Sequence, residues 1–314
     1  MSAIRLALTL GDPRGIGPEI VAKAVRSLQD RHAASPVVLV GPQGFDPGLG
    51  PYESVGPFDG SEASAGAVSA LAIERAVILA REGSVSAIVT GPIHKPALRA
   101  AGYSDPGHTE MLQRLTDAPE VGMLMAAEET KGGGPLRVLL ATTHVALRSV
   151  PDLVSRRVLV AQTALLSEAL RADWRIKEPR IGLCALNPHA SDGGLFGDEE
   201  AVVFFPAVEE LREAGVDVQG PLPADTIFGR ALRGEFDAVV APYHDVGMAA
   251  FKTVTFGRGV NVTLGLPFVR TSPDHGTAFD LVGADRADPS SMEEAIHLAA
   301  CIVQNRFDTL AAQA

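Results

Sequence analysis

Short apolar runs recur along the chain, and each breaks on glycine, proline or a polar turn. They are IRLALTL at 4–10, VVLVG at 37–41, VSAIVTG at 85–91, LRVLLATTH at 136–144, RIGLCALNPH at 180–189 and FDAVVAPYHD at 236–245. Runs this short, without polar alternation, predict strands buried on both faces. Longer segments with helical apolar spacing lie between them. EIVAKAVRSL follows the first run, SAGAVSALAIERAVILAREG spans 64–83, SRRVLVAQTALLSEALRA spans 155–172 and VVFFPAVEELREAG spans 202–215. An amphipathic segment, EEAIHLAACIVQNRFDTLAA at 293–312, closes the chain. Strands alternating with helices predict right-handed crossovers and a mostly parallel sheet, an α/β fold. Ligands of such sheets bind beyond the carboxyl ends of the strands.

Three of the apolar runs end on a histidine, His144, His189 and His244, in a chain with only eight histidines. Strand exits at one sheet edge bring such residues to one mouth, where three neutral imidazoles suit a divalent ion and leave positions open for substrate oxygens. Asn187 and Asp245 are neighbours suited to orient them. The competing reading is a set of hydrogen-bonded loop histidines, because intervals of 45 and 55 residues match no short metal motif.

Composition bounds the function classes. At 314 residues the chain suggests about two domains. With 46% apolar and 21% charged residues and no biased tract, a packed globular protein is expected. A net charge of −11 argues against a nucleic-acid or anionic-membrane surface, so any phosphate must be met by local cations. Cys184 and Cys301 form no paired motif, which fits a reducing cytoplasm, and Cys184 reads as a small core residue. The N-terminal apolar run breaks at Gly11, too early for an export signal or a span. No flexible linker is evident, and the best crossing points between domains lie near 100–107 and 246–256.

Other features carry candidate chemistry. GDPRGIGPE at 11–19 is either a tight turn or an anion cradle at a helix start, without the third glycine of a dinucleotide fingerprint or the lysine of a P-loop. GHTEML at 107–112 places His108 and Thr109 at a helix start, where Thr109 is a cap or an oxyanion ligand. Lys252, Asn261 and Arg270 recur at intervals of nine in a stretch poor in cations, as phosphate or carboxylate ligands or as solvated surface groups.

Taken together, LTLGDPRGIGPEI, TGPIHK, GHTEML, ATTH, LNPHA, GPLPADTIF, YHDVG and GRGVNVTLGLPFVRTSPDHGTA resemble the 4-hydroxythreonine-4-phosphate dehydrogenase family of pyridoxal phosphate biosynthesis. The wider resemblance is to isopropylmalate and isocitrate dehydrogenases, echoed in GIGPE and HGTAFDLVG. It implies two α/β domains with the active cleft between them, one built from 1–105 plus 253–314 and nucleotide-binding, the other from 106–252. A divalent metal (zinc, magnesium or cobalt) on His144, His189 and His244 is implied, with ligands from both subunits of a homodimer. So are substrate contacts from His108, Thr109, Lys252, Asn261 and Arg270, and NAD contacts from His275, Gly276 and Asp280.

The reaction implied is oxidation of a phosphorylated 3-hydroxy acid, with loss of the carboxylate from the 3-keto product. Asp245, Asp225 and Lys95 are candidates for the general base. Val246 stands where the family usually has Gln, and the 42–62 region is shorter than usual. Paralogues act on four-carbon sugar-acid phosphates or cyclic diol carboxylates, which leaves substrate choice open. A metal-dependent lyase using the same histidines without a nucleotide is the rival reading, and HGTAFDLVG argues against it.

Overall fold

The computed structural model describes residues 4–33, 35–255 and 257–313. In chain order it forms β1 (Leu6–Thr9), α1 (Gly17–Asp30), β2 (Val37–Gly41), β3 (Tyr52–Ser54), α2 (Glu62–Arg81), β4 (Ala87–Thr90), α3 (Lys95–Ala100) and α4 (His108–Thr116). There follow β5 (Gly122–Ala127), β6 (Leu136–Leu140), α5 (Val150–Leu153), α6 (Arg156–Asp173), β7 (Ile181–Cys184), α7 (Phe205–Glu213), β8 (Val218–Leu222), α8 (Ala224–Leu232), β9 (Ala238–Ala241) and α9 (His244–Thr255). The chain then returns through β10 (Val260–Leu264), β11 (Val269–Pro273) and α10 (Ser290–Gln313). Every position of β1, β2, β4, β6, β7 and β9 is buried, as the unbroken apolar runs predict for strands covered on both faces.

The chain divides into a terminal unit, built from residues up to Pro119 and from Val260–Ala312, and a middle unit, Glu120–Gly259. The terminal unit's strands run β3-β2-β1-β4-β11-β10, parallel except for β10 against β11. Those of the middle unit run β5-β6-β9-β7-β8, parallel except for β5 against β6. Both are the mostly parallel α/β layers expected. The unit boundaries lie further along the chain than the sequence suggests. Helix α4 joins the terminal unit because it packs on α2, with Met111 and Leu112 buried. All of α9 stays in the middle unit, where Phe251 is buried among Val138, Leu140 and Phe228.

Glycines let the strand exits of the terminal unit pack closely. Gly11 has φ +74°, and a Cβ there would lie 2.2 Å from the Pro92 carbonyl oxygen. A Cβ on Gly17 would lie 2.1 Å from the Leu10 oxygen. The tight-turn reading of GDPRGIGPE therefore accounts for these two glycines. Among the described residues α2 is the one helix long and apolar enough to cross a membrane, yet it lies on β1, β2 and β4 with Ala65, Val68, Ile73 and Val77 buried.

Candidate active site

In the middle unit, β6, β9 and β7 are adjacent and parallel, so their carboxyl ends share one edge. The β6–β9 pairing continues past the strand ends. Ala141 N–H donates to the Ala241 oxygen at 2.9 Å, and the Thr142 hydroxyl donates to the Pro242 oxygen at 2.8 Å. This keeps the two exits side by side and brings the His144 and His244 rings to 5.4 Å between centroids. His244 Nδ1 lies 2.7 Å from Asp245 Oδ1. Thr143, Leu147 and Tyr243 complete the walls of a cleft of about 90 Å³, room for an ion and a few waters. Burial raises the Tyr243 phenol, with smaller contributions from Cys184 and Asp245.

His189 leaves the same edge from β7, two strand spacings from β6, about 9.5 Å across the sheet. It is exposed and sits in a left-handed run, with φ +53° at His189, +54° at Ala190, +68° at Ser191 and +45° at Asp192. Among the described residues no three His, Cys, Asp or Glu side chains form a ready cage for an ion. The chemistry of the pair nonetheless suits one. A carboxylate on Nδ1 fixes the tautomer of His244 and leaves its other nitrogen as the electron-pair donor, the usual arrangement behind a metal-ligating histidine. His144 and His244 thus fit part of a donor set, which a tetrahedral ion must complete from elsewhere.

In the terminal unit the register of β10 on β11 sets Asn261 opposite Ser272 and Thr263 opposite Arg270 on one face. Arg270 is 2% exposed. Its guanidinium donates to the Thr263 hydroxyl at 2.9 Å and the Thr90 hydroxyl at 2.6 Å, while its Nε has no partner. Burial without a counter-charge pushes the guanidinium down to about 9. His108 Nε2 is also buried and unpartnered. Burial, then Arg270 and Lys95, hold this imidazole well below the ordinary histidine range, so it is neutral at pH 7. Asn261 Oδ1 is a further buried atom without a partner. The cap of α4 is Gly107, and Thr109 is the second helical residue, so the capping reading of Thr109 is corrected. Lys252 is exposed on α9 and belongs to the middle unit.

The HGTAFDLVG segment follows β11 and meets the GDPRG turn. Ile16 N–H donates to the Thr277 oxygen at 2.9 Å, and a Cβ on Gly15 would lie 2.8 Å from the same atom. His275 Nδ1 lies 3.1 Å from the Gly276 oxygen, and its buried Nε2 has no partner. Gly276 faces open space, and Asp280 is exposed on a single helical turn. Sequence reasoning missed a neighbouring group. The Arg14 guanidinium lies 5.4 Å from the Phe279 ring centroid and pairs with the fully buried Asp12, while His94 meets the same ring edge-on at 5.0 Å. The available signal was an arginine inside a glycine turn.

Residues 28–299 match the family described as pyridoxal phosphate biosynthetic protein PdxA. The chain belongs to this family. It is 41% identical to a 4-hydroxythreonine-4-phosphate dehydrogenase of Methylorubrum populi, over 95% of this chain and 94% of that one. It is 42% identical to a D-threonate 4-phosphate dehydrogenase of Cupriavidus necator, over 96% and 98%. The crystal structure of a 4-hydroxythreonine-4-phosphate dehydrogenase from Klebsiella pneumoniae superposes with a TM-score of 0.83 at 36% identity, covering 96% of this chain and 99% of that one. Isocitrate dehydrogenase from Methylococcus capsulatus shares the fold, with a TM-score of 0.55 at 14% identity over 98% and 87%.

Several PdxA-pattern positions read differently once placed. Val246, where the resemblance implied Gln, packs against the middle core. Asp225 is exposed in the first turn of α8, Lys95 is exposed at the start of α3, and Asp245 is bonded to His244. Cys184 is the buried core residue expected, its thiol pushed up to about 12 by burial, then by Asp225 and Glu200.

Proposed function

We propose that this PdxA-family chain is an NAD-dependent dehydrogenase of phosphorylated 3-hydroxy acids. Its first substrate is 4-(phosphooxy)-threonine, and the 3-keto product loses carbon dioxide to leave 3-amino-2-oxopropyl phosphate for pyridoxal phosphate synthesis. The observation that carries this reading is Arg270, a fully buried guanidinium that meets two hydroxyls and no carboxylate among the described residues. A buried cation costs free energy unless an anion joins it, so a site that keeps one is built for an anionic ligand. The neutral His108 and the open Asn261 Oδ1 supply further polar contacts, with Thr109 and Lys252 as the remaining substrate ligands. The relatives named for 4-hydroxythreonine 4-phosphate and D-threonate 4-phosphate support a four-carbon acid phosphate.

His144, His189 and His244 would hold a divalent ion, which when bound would polarise the substrate's hydroxyl and carbonyl oxygens. His275, Gly276 and Asp280 would hold NAD, which would supply the hydride acceptor. The chain's own residues do the rest. Asp245 fixes the tautomer and direction of His244, which leaves it poorly placed as the base. Lys95, close enough to depress His108 electrostatically, is the better proton carrier for a substrate anchored on Arg270. A homodimer with shared sites is supported by exposed apolar side chains flanking the histidines. Leu147 and Leu153 follow His144, and Leu195, Phe196, Val202 and Phe205 follow His189. The unpaired cysteines fit a reducing cytoplasm.

The test is a turnover assay with protein, zinc, magnesium or cobalt, and NAD+. The panel is 4-hydroxythreonine 4-phosphate, D-threonate 4-phosphate, a cyclic diol carboxylate and their dephosphorylated forms. Nicotinamide reduction is expected with the first and not with its dephosphorylated form. Reduction with the diol carboxylate alone, or with none of the panel, overturns the reading.

A further inference from the structure

Glu200 has no part in the reaction as read above, yet it is 1% exposed and accepts more hydrogen bonds than any nearby side chain. Its Oε1 accepts the backbone N–H groups of Leu186 at 2.9 Å and Asn187 at 2.7 Å. Its Oε2 accepts Asn187 Nδ2 at 2.9 Å and the Ser191 hydroxyl. One carboxylate therefore joins the entry of the loop to its far side, and His189 lies between the two anchor points. The span it closes is the left-handed run His189–Asp192, four consecutive non-glycine residues at positive φ. L-residues adopt that conformation only where surrounding contacts over-determine it. Glu200 also begins a π-helical turn, Glu200–Phe204, a form found mostly as single turns and often at functional sites.

We propose that Glu200 is the positioning residue for His189. Its carboxylate holds the left-handed turn closed, and this sets where the imidazole stands at the sheet edge. This rests on the reading of His189 as a metal ligand. Removing the carboxylate lets residues 187–192 relax toward ordinary backbone conformations and carries the imidazole away, without touching the ion's other ligands.

The experiment compares Glu200→Ala, Glu200→Gln and His189→Ala, each as the full chain freed of metal by chelation. Cobalt(II) is titrated in and read by its visible absorption, which reports affinity and coordination without turnover. Hydrogen exchange of residues 186–195 reads the turn itself, and a sulfate-induced rise in melting temperature checks that the Arg270 cluster is intact. Glu200→Ala is expected to weaken cobalt binding about 10- to 100-fold, the usual effect of losing an outer partner of a metal ligand. It should also speed exchange across the turn and leave the sulfate response unchanged. Glu200→Gln keeps the Oε1 acceptor for both backbone donors and should recover most of the affinity. Should Glu200→Ala not fold, the comparison of Glu200→Gln with the unmodified chain carries the same reading, with a smaller loss. Combined with His189→Ala, the Glu200 substitution should cost nothing more.

Unchanged exchange of the turn in Glu200→Ala overturns the proposal, as does wild-type cobalt affinity in Glu200→Ala when His189→Ala has lost it. Wild-type affinity in His189→Ala overturns the metal reading instead. Glu200 is then judged by the exchange of the turn, where faster exchange upholds its hold on the loop.

Discussion

Replacing Arg270 with methionine should make the ligand-free protein more stable while destroying its function. Burial moves the guanidinium from 12.5 down to about 9. At about 1.4 kcal/mol per pH unit, this means the fold carries about 5 kcal/mol of desolvation on this one charge at neutral pH. Methionine keeps the unbranched apolar stem and removes the charge. The Thr263 and Thr90 hydroxyls then lose a donor, at about 1 kcal/mol each. The balance is about 2–3 kcal/mol in favour of Arg270→Met, a rise of several degrees in melting temperature. Sulfate tests the same charge from the other side. It should stabilise the wild type in proportion to the logarithm of its concentration and leave the variant unmoved. Calorimetry of both proteins, with and without sulfate, decides the matter. A variant that melts lower without anion and responds to sulfate like the wild type would show that the arginine is structural.

His108 predicts a pH dependence. Its folded-state pKa is depressed, so on acidification the unfolded chain takes up a proton near pH 6.5 while the folded chain does not, and stability falls as pH drops below that point. Urea midpoints at pH 7.5 and 5.5 should differ more for the wild type than for His108→Asn. If Asp280 reads the ribose as proposed, Asp280→Asn should narrow the preference for NAD+ over NADP+ in kcat/KM, because a carboxylate there would accept bonds from ribose hydroxyls and repel a 2′-phosphate, with cobalt affinity unchanged; an unaltered ratio refutes the ribose role. Mixing inactive His144→Ala and His189→Ala chains should restore activity if His189 of one site comes from the other copy, because His144 and His244 already stand together in one chain. No recovery under demonstrated subunit exchange refutes that division.

The strand exits were legible because unbroken apolar runs fix where a buried strand stops, and a histidine just beyond the stop must lie at the sheet edge. Distances along that edge were not legible. Intervals of 45 and 55 residues carry no strand order, and the order β6-β9-β7 is what seats His244 beside His144 and puts His189 one strand further away. Lys252, Asn261 and Arg270 recur at one interval, yet the first stands on α9 of the middle unit and the other two on β10 and β11 of the terminal unit, a division that the spacing does not carry. Helix α4 illustrates the same limit. Its amphipathic pattern announced a covered face without saying which unit supplies the cover. Glu200 is one of several acidic residues in GDEEAVVFF, and its burial answers a demand in another segment, the N–H groups of Leu186 and Asn187 that it accepts.

The terminal unit is finished by strands made after the middle unit. β4 must wait for β11, whose pairing partners are separated by the entire middle unit, as with Ala87 and Val269. During synthesis the contiguous middle unit can close on itself first, whereas β1, β2 and β4 leave the ribosome with one side of β4 unpaired and stay so until residues beyond Val269 appear. Thr90 and His108 are in place early, and Arg270 reaches them only after the whole middle unit has been made. A chain cut short before β11 therefore lacks both the strand that covers one side of β4 and the guanidinium that meets Thr90, so a truncated product is marked for chaperones by its exposed edge.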